Sequence, residues 1–379
     1  MTTPDITTGP FRLAVARGQD WKEVAKRCLD DLGAIGGANI GFIYVTDALV
    51  DDLGSILTLL RGITGIEDWV GSVGIGIVAG SEEILAEPAL TLMVGHLPVG
   101  SFQLFRRDSD GFGEISSDTM PVADWLTGRH AVAAVIHGDP RDEDLPRLIM
   151  DTAADTEAFL VGGLSSSRVA LKQVAGKIIE QGVSGVFFDE NVSIATGLTQ
   201  GCTPVSPARP ITECEDNVIM TVEGRPALEV FKEDIAETLS GSEEQTEAHV
   251  FAALPVSGSD TGDYLVRNIL GVDNERGWIA ISEEVEEGQL LQFVQRNTYA
   301  AMADMEQMLR RLKERMPEPR GALYFSCMAR GENMFGPDSA EVRAITDIFG
   351  EIPMAGIFAN GEISHDRLYT HTGILMLFG

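Results

Sequence analysis

Along the chain, continuous apolar runs alternate with stretches in which apolar positions recur every three or four residues. Residues 39–47 (NIGFIYVTD) form an uninterrupted apolar run that ends in an acid, the signature of a strand buried on both faces. After it, Leu49, Leu53, Ile56, Leu57, Leu60 and Ile63 fall at helical spacing, which predicts an amphipathic helix. The glycine-rich run 69–78 reads as a strand, and 89–96 as its partner across a turn containing Pro88. This first unit is β-α-β-β.

The pattern recurs. An apolar run at 131–137 ends at Asp139 and is followed by Leu145, Leu148, Ile149 and Ala153 at helical spacing, then by a second run over 158–163. Val45 to Val70 and Ile136 to Val161 are both separations of 25 residues. A looser third copy runs from Leu323 through a helix over 338–349 to the run 353–361. Three copies of one strand-helix-strand unit predict an architecture built by repetition. Hairpins expected at 176–188 and 192–201 break the parallel order, so mixed sheets are expected. The fold class is therefore α+β, two lobes of repeated β-α-β-β units whose mixed sheets are covered by helices. The lobes are expected at 1–205 and 206–379, with residues 203–210 as a Pro-rich bend between them. A long helix is expected over 290–316, stopped by Pro317 and Pro319, and an exposed loop over 239–247 (LSGSEEQTE).

Charge narrows the range of partners. With 58 acidic and 28 basic side chains among 379 residues the net charge is −30, which repels nucleic-acid phosphates and anionic lipid. No apolar stretch reaches the ~20 residues of a membrane-spanning helix, and the N-terminal residues lack a secretory pattern. A cytoplasmic protein without nucleic-acid or membrane partners is expected. The cysteines, Cys28, Cys202, Cys214 and Cys327, include no CxxC pair, and no HExxH or nucleotide-binding loop occurs. No metal site is expected.

Candidate chemistry collects in the last sixty residues. Cys327 and Arg330 lie three residues apart where a strand ends, with Gly331 beside them. Glu341 and Glu362 are acids that could pair with Arg330 or with a ligand amine, and Gly356, Asn360 and Gly361 allow close backbone approach. His371 and Thr372 precede the terminal strand. A guanidinium for a carboxylate, carboxylates for an ammonium and glycines for access make up an amino-acid site. The plain alternatives are a structural ion pair for Arg330 and core packing for Cys327.

The segments GLTQGCTP at 197–204, Asn217 with EGRPAL at 223–228, FSCMARG at 325–331, Phe335-Gly336 with Glu341, and AGIFANGE at 355–362 resemble the C-terminal half of FIST (F-box and intracellular signal transduction) proteins. WVGSVGIGI at 69–77 and FLVGGLSSS at 159–167 look like the FIST N-terminal domain. The resemblance implies a sensory module for small ligands, amino acids among them, that signals through a separate protein. No cofactor is expected on this reading. Some relatives are haem proteins that sense nitric oxide and regulate a kinase, which makes haem an alternative, although no motif marks a ligating histidine. A third alternative, read from the residues, is an enzyme with Cys327 as nucleophile and His371 as its base.

Overall fold

The computed structural model describes residues 11–116, 120–236, 250–256 and 262–379. The described residues form two compact units: one falls within 11–199, 304–368 and 372–379, and the other within 200–303 and 369–371.

The first unit is a threefold repetition. The first repeat comprises β1 (Arg12–Arg17), α1 (Trp21–Leu32), β2 (Ile40–Thr46), α2 (Leu53–Thr64), β3 (Trp69–Gly74), the hairpin β4 (Gly76–Ala79) and β5 (Glu82–Leu85), and β6 (Ala89–Gly95). The second runs through β7 (Phe102–Asp108), β8 (Gly111–Gly113), α3 (Val122–Thr127), β9 (Ala131–Gly138), α4 (Leu145–Thr156), β10 (Phe159–Leu164), the hairpin β11 (Gln173–Ala175) and β12 (Lys177–Ile179), and β13 (Val183–Asp189). The third opens with β14 (Ile194–Gln200). It resumes, after the second unit, with α6 (Thr298–Arg315), β24 (Gly321–Cys327), α7 (Glu332–Phe335), α8 (Ala340–Phe349), β25 (Met354–Ala359), the hairpin β26 (Glu362–Ser364) and β27 (Arg367–Tyr369), and β28 (Thr372–Phe378). At the centre of each sheet two strands joined by a helix run parallel: β2 with β3, β9 with β10, and β24 with β25.

Each repeat lends its hairpin to another repeat's sheet. Strand β4 pairs with β25, β11 with β3, and β26 with β10, all antiparallel. The exchange is in register, since Gly356 faces Val78, Gly71 faces Val174, and Gly162 faces Ile363. These glycines are required by close approach. A Cβ at Gly71, Gly162 or Gly356 would lie 1.7, 1.8 and 1.8 Å from the carbonyl oxygens of Ile43, Ile136 and Tyr324. The inner faces meet in one core that includes Phe42, Val135, Val161, Phe325 and Ile357. The outer faces carry helices: α1 and α2, then α3 and α4, then α6 and α8.

Among the described residues the second unit is a nine-stranded antiparallel sheet. Its strands are β15 (Cys202–Pro204), β16 (Arg209–Glu215), β17 (Val218–Val222), β18 (Arg225–Pro226), β19 (Val250–Pro255), β20 (Tyr264–Arg267), β21 (Ile269–Asp273), β22 (Trp278–Ile281) and β23 (Leu290–Arg296). Helix α5 (Ala227–Ala236) packs on it through Leu228, Phe231 and Ile235, with the Phe231 and Phe293 rings 4.8 Å apart.

The α+β class and the three repeats hold, while several local expectations change. Residues 290–296 are strand β23, with Leu291 and Phe293 buried in the core under α5 and Val294 in a separate cluster; the helix begins after Asn297, whose side chain accepts the Ala300 amide at 3.0 Å. Strand β6 pairs with β1 and β2, not with the run at 69–78, and β13 pairs with β9 and β7 instead of closing a hairpin on β12. The equal separations of 25 do not mark equivalent positions, since Val45 pairs with Val73 but Ile136 with Gly162. The loop expected at 239–247 lies outside the described residues.

Candidate functional site at the end of the third parallel pair

Strands β24 and β25 end side by side at Cys327 and Ala359. In open α/β sheets the carboxyl ends of parallel strands are where ligands gather. Alternation along β24 sends Tyr324 and Ser326 to the outer face, under α8, and Phe325 to the shared core. Past Cys327 the chain turns, with the Arg330 amide donating to the Cys327 carbonyl at 2.8 Å and Gly331 at φ 54°. A side chain at Gly331 would strike the Phe358 ring and Glu83 Oε2.

This turn and α8 close around one carboxylate. Glu341 Oε1 accepts from the Tyr324 hydroxyl and Arg330 Nε, each at 2.6 Å; Oε2 accepts from the Ser326 hydroxyl at 3.0 Å and the Gly331 amide at 2.9 Å. Arg330 and Glu341 are both fully buried. Burial works against the Arg330 charge, but the adjacent Glu341 outweighs it and holds the guanidinium firmly protonated. Burial, reinforced by the Glu341 charge, drives the Tyr324 phenol well up, so it serves as a donor.

Two further carboxyl groups border Arg330. Glu83, from the first repeat's hairpin, accepts the Val342 amide on Oε1 at 3.3 Å, while Oε2 is buried without a hydrogen-bond partner. Burial and then the neighbouring Glu341 charge push Glu83 up to about 7. Glu362 is fully buried; its Oε2 accepts the Thr372 amide at 3.2 Å and the Thr372 hydroxyl at 2.8 Å, and its Oε1 is buried without a hydrogen-bond partner. Burial pushes Glu362 up to about 8, against the Thr372 bonds, the Arg330 charge and a hydrogen bond from the Cys327 thiol.

The structure thus brings Cys327, Arg330, Gly331 and Glu341 together, with Glu362 and Thr372 alongside. Gly356 sits mid-strand against the Tyr324 carbonyl, and Asn360 is exposed with its amide on the Leu164 carbonyl at 3.2 Å. The Gly361 carbonyl accepts the Leu164 amide at 2.9 Å, at φ 121°. His371 belongs to the second unit, where its ring lies 4.4 Å from that of Phe251 and its carbonyl accepts the Gly201 amide.

In the core of the first unit, Tyr44 and His137 are fully buried. His137 Nδ1–H donates to the Gly163 carbonyl at 3.0 Å, which leaves Nε2 to accept from the Tyr44 hydroxyl at 3.4 Å. Burial lowers its pKa to about 4, so the imidazole is neutral. Haem does not fit this histidine: both nitrogens are engaged, and the Tyr44 and Phe325 rings pack 5.6 Å from its own.

Residues 39–225 match the FIST N domain and residues 227–365 the FIST C domain. The chain belongs to the FIST family. FIST domains are sensory domains of signal transduction. The chain is also similar to an uncharacterised protein of Mycobacterium tuberculosis, 29% identical over 337 residues, 82% of this chain and 83% of the relative. A protein of Mycobacterium bovis, likewise uncharacterised, is 28% identical over 360 residues, 88% of this chain and 87% of its own length. Among the described residues of this FIST chain no helix is long and apolar enough to cross a membrane. Sequence reasoning about the FIST C-terminal motifs missed Glu83, since it reaches the site only through hairpin exchange from 259 residues before Val342.

Proposed function

We propose that this FIST protein is a sensory module for an amine-bearing small metabolite, an amino acid or a related compound, and that its signal passes to a separate protein. The observation that carries the reading is the buried Glu362 Oε1, which has no hydrogen-bond partner while Oε2 has two. A buried carboxyl oxygen left unsatisfied costs free energy that a ligand ammonium can recover. Glu83 Oε2 supplies a second such acceptor beside the same arginine. Arg330 Nε holds Glu341 in place, and the buried acceptors beside it are carboxyl oxygens, so the reading rests on the ligand's amine. The reading needs no catalysis.

The test is a thermal-shift screen of amino acids, their decarboxylated amines and their deaminated acids. The expected result is stabilisation by compounds that keep the amine, abolished in Glu362→Gln. Stabilisation by the deaminated acids alone would refute the reading.

A further inference from the structure

We propose that the first unit carries a second ligand site, a basic cleft that takes a small organic anion. A cleft of about 850 Å³ is lined by Arg106, Arg141, Lys172 and Lys177 against a single acid, Glu180. That runs against the composition of the chain, in which acids outnumber bases by 58 to 28.

The cations are arranged and not scattered. Arg106 Nε at 3.1 Å and Lys177 Nζ at 3.3 Å both donate to the carbonyl oxygen of Glu114, which brings two positive charges to one backbone atom. Asp108 Oδ2 pairs with Arg106 Nη1 at 3.4 Å and balances part of that charge; what remains beside Lys177 is unfavourable unless an anion or solvent screens it. Lys172 Nζ donates to the Val50 carbonyl at 3.2 Å. Among the described residues neither lysine forms an ion pair with a carboxylate, whereas Arg141 is held by both oxygens of Asp139. No carboxylate among the described residues therefore competes with an incoming anion for either lysine.

Beside them Val169, 63% exposed, provides an apolar wall. Ammonium groups receive phosphate as point charges, and the cleft volume falls in the ~300–1,000 Å³ range of small-molecule sites. The ligand class is a small metabolite with a phosphate or a cluster of carboxylates and an apolar body.

Calorimetric titration at low salt with inorganic pyrophosphate, and separately with citrate, tests the proposal. One saturable site, weakened by added salt, is expected. Tighter pyrophosphate assigns a phosphate ligand, and tighter citrate a carboxylate one. The double variant Lys172→Ala/Lys177→Ala should bind about tenfold more weakly or worse, with an unchanged circular dichroism spectrum. Lys177→Gln alone, at an exposed position, should show a smaller loss, and the exposed Lys26→Ala none. Glu362→Gln should bind pyrophosphate like the wild type, which keeps this result separate from that of the amine site. Absence of saturable binding by both probes, or wild-type affinity in the lysine variants, would overturn the proposal.

Discussion

Arg330 Nε lies 2.6 Å from Glu341 Oε1, and neither side chain has any exposure. Removing one partner leaves a buried charge unmatched, at a cost of about 3–5 kcal/mol. Glu341→Ala and Arg330→Met should each lower stability by that amount in urea unfolding. The double variant Arg330→Met/Glu341→Leu should lose clearly less than the two single losses together, because it leaves no bare charge. Equal losses in the double and summed singles would show that the two side chains act independently.

The repeated glycines make a steric prediction. Gly71→Ala, Gly162→Ala and Gly356→Ala each drive a Cβ into a backbone carbonyl that cannot swing aside. Each should destabilise by about 3 kcal/mol or more. Gly62, inside helix α2, has nothing within 4 Å of an added methyl, and Gly62→Ala should instead gain about 0.5–1 kcal/mol. Thermal melts of the four variants make the comparison.

Stability should also fall as pH rises from mildly acid to mildly alkaline through the action of two carboxyls. Glu362 is pushed up to about 8 and Glu83 to about 7, from an ordinary value of 4.5. The folded protein keeps these protons after the unfolded chain has released its own. Their stabilising contribution is complete below the unfolded value and is lost as pH rises through the folded ones. Glu362→Gln is always neutral and should lose less stability across that window than the wild type. Parallel slopes for the two proteins in denaturant titrations at several pH values would place Glu362 among ordinary carboxylates.

The parallel centre of each sheet was legible because a strand buried on both faces must be apolar throughout, as in Ile40–Thr46 and Gly321–Cys327. Helix α2 was legible through its spacing. Strand pairing was not, since the hairpins exchange between repeats and only three-dimensional packing decides that Val174 meets Gly71. The boundary inside 290–316 was hidden for a different reason: the stretch holds no glycine or proline, so nothing local marks where the strand ends and the helix starts after Asn297. At the site, residue types already suggested an Arg330 partner among the nearby acids, and Glu341 proves to be that partner. Glu83 carried no local signal, being one acid in the strand β5 until the fold sets it beside Glu341.

The central claim, that Glu362 receives a ligand ammonium, is tested most directly by counting protons. With its pKa at about 8, the Glu362 carboxyl of the ligand-free protein holds its proton at neutral pH and must give it up to pair with an ammonium. Calorimetry of the best amine from the thermal screen, repeated in buffers of different ionisation enthalpy, measures that release. Close to one proton released per ligand is expected in the wild type, and none in any residual binding by Glu362→Gln. Binding without proton release, or release that persists in the variant, would contradict the claim.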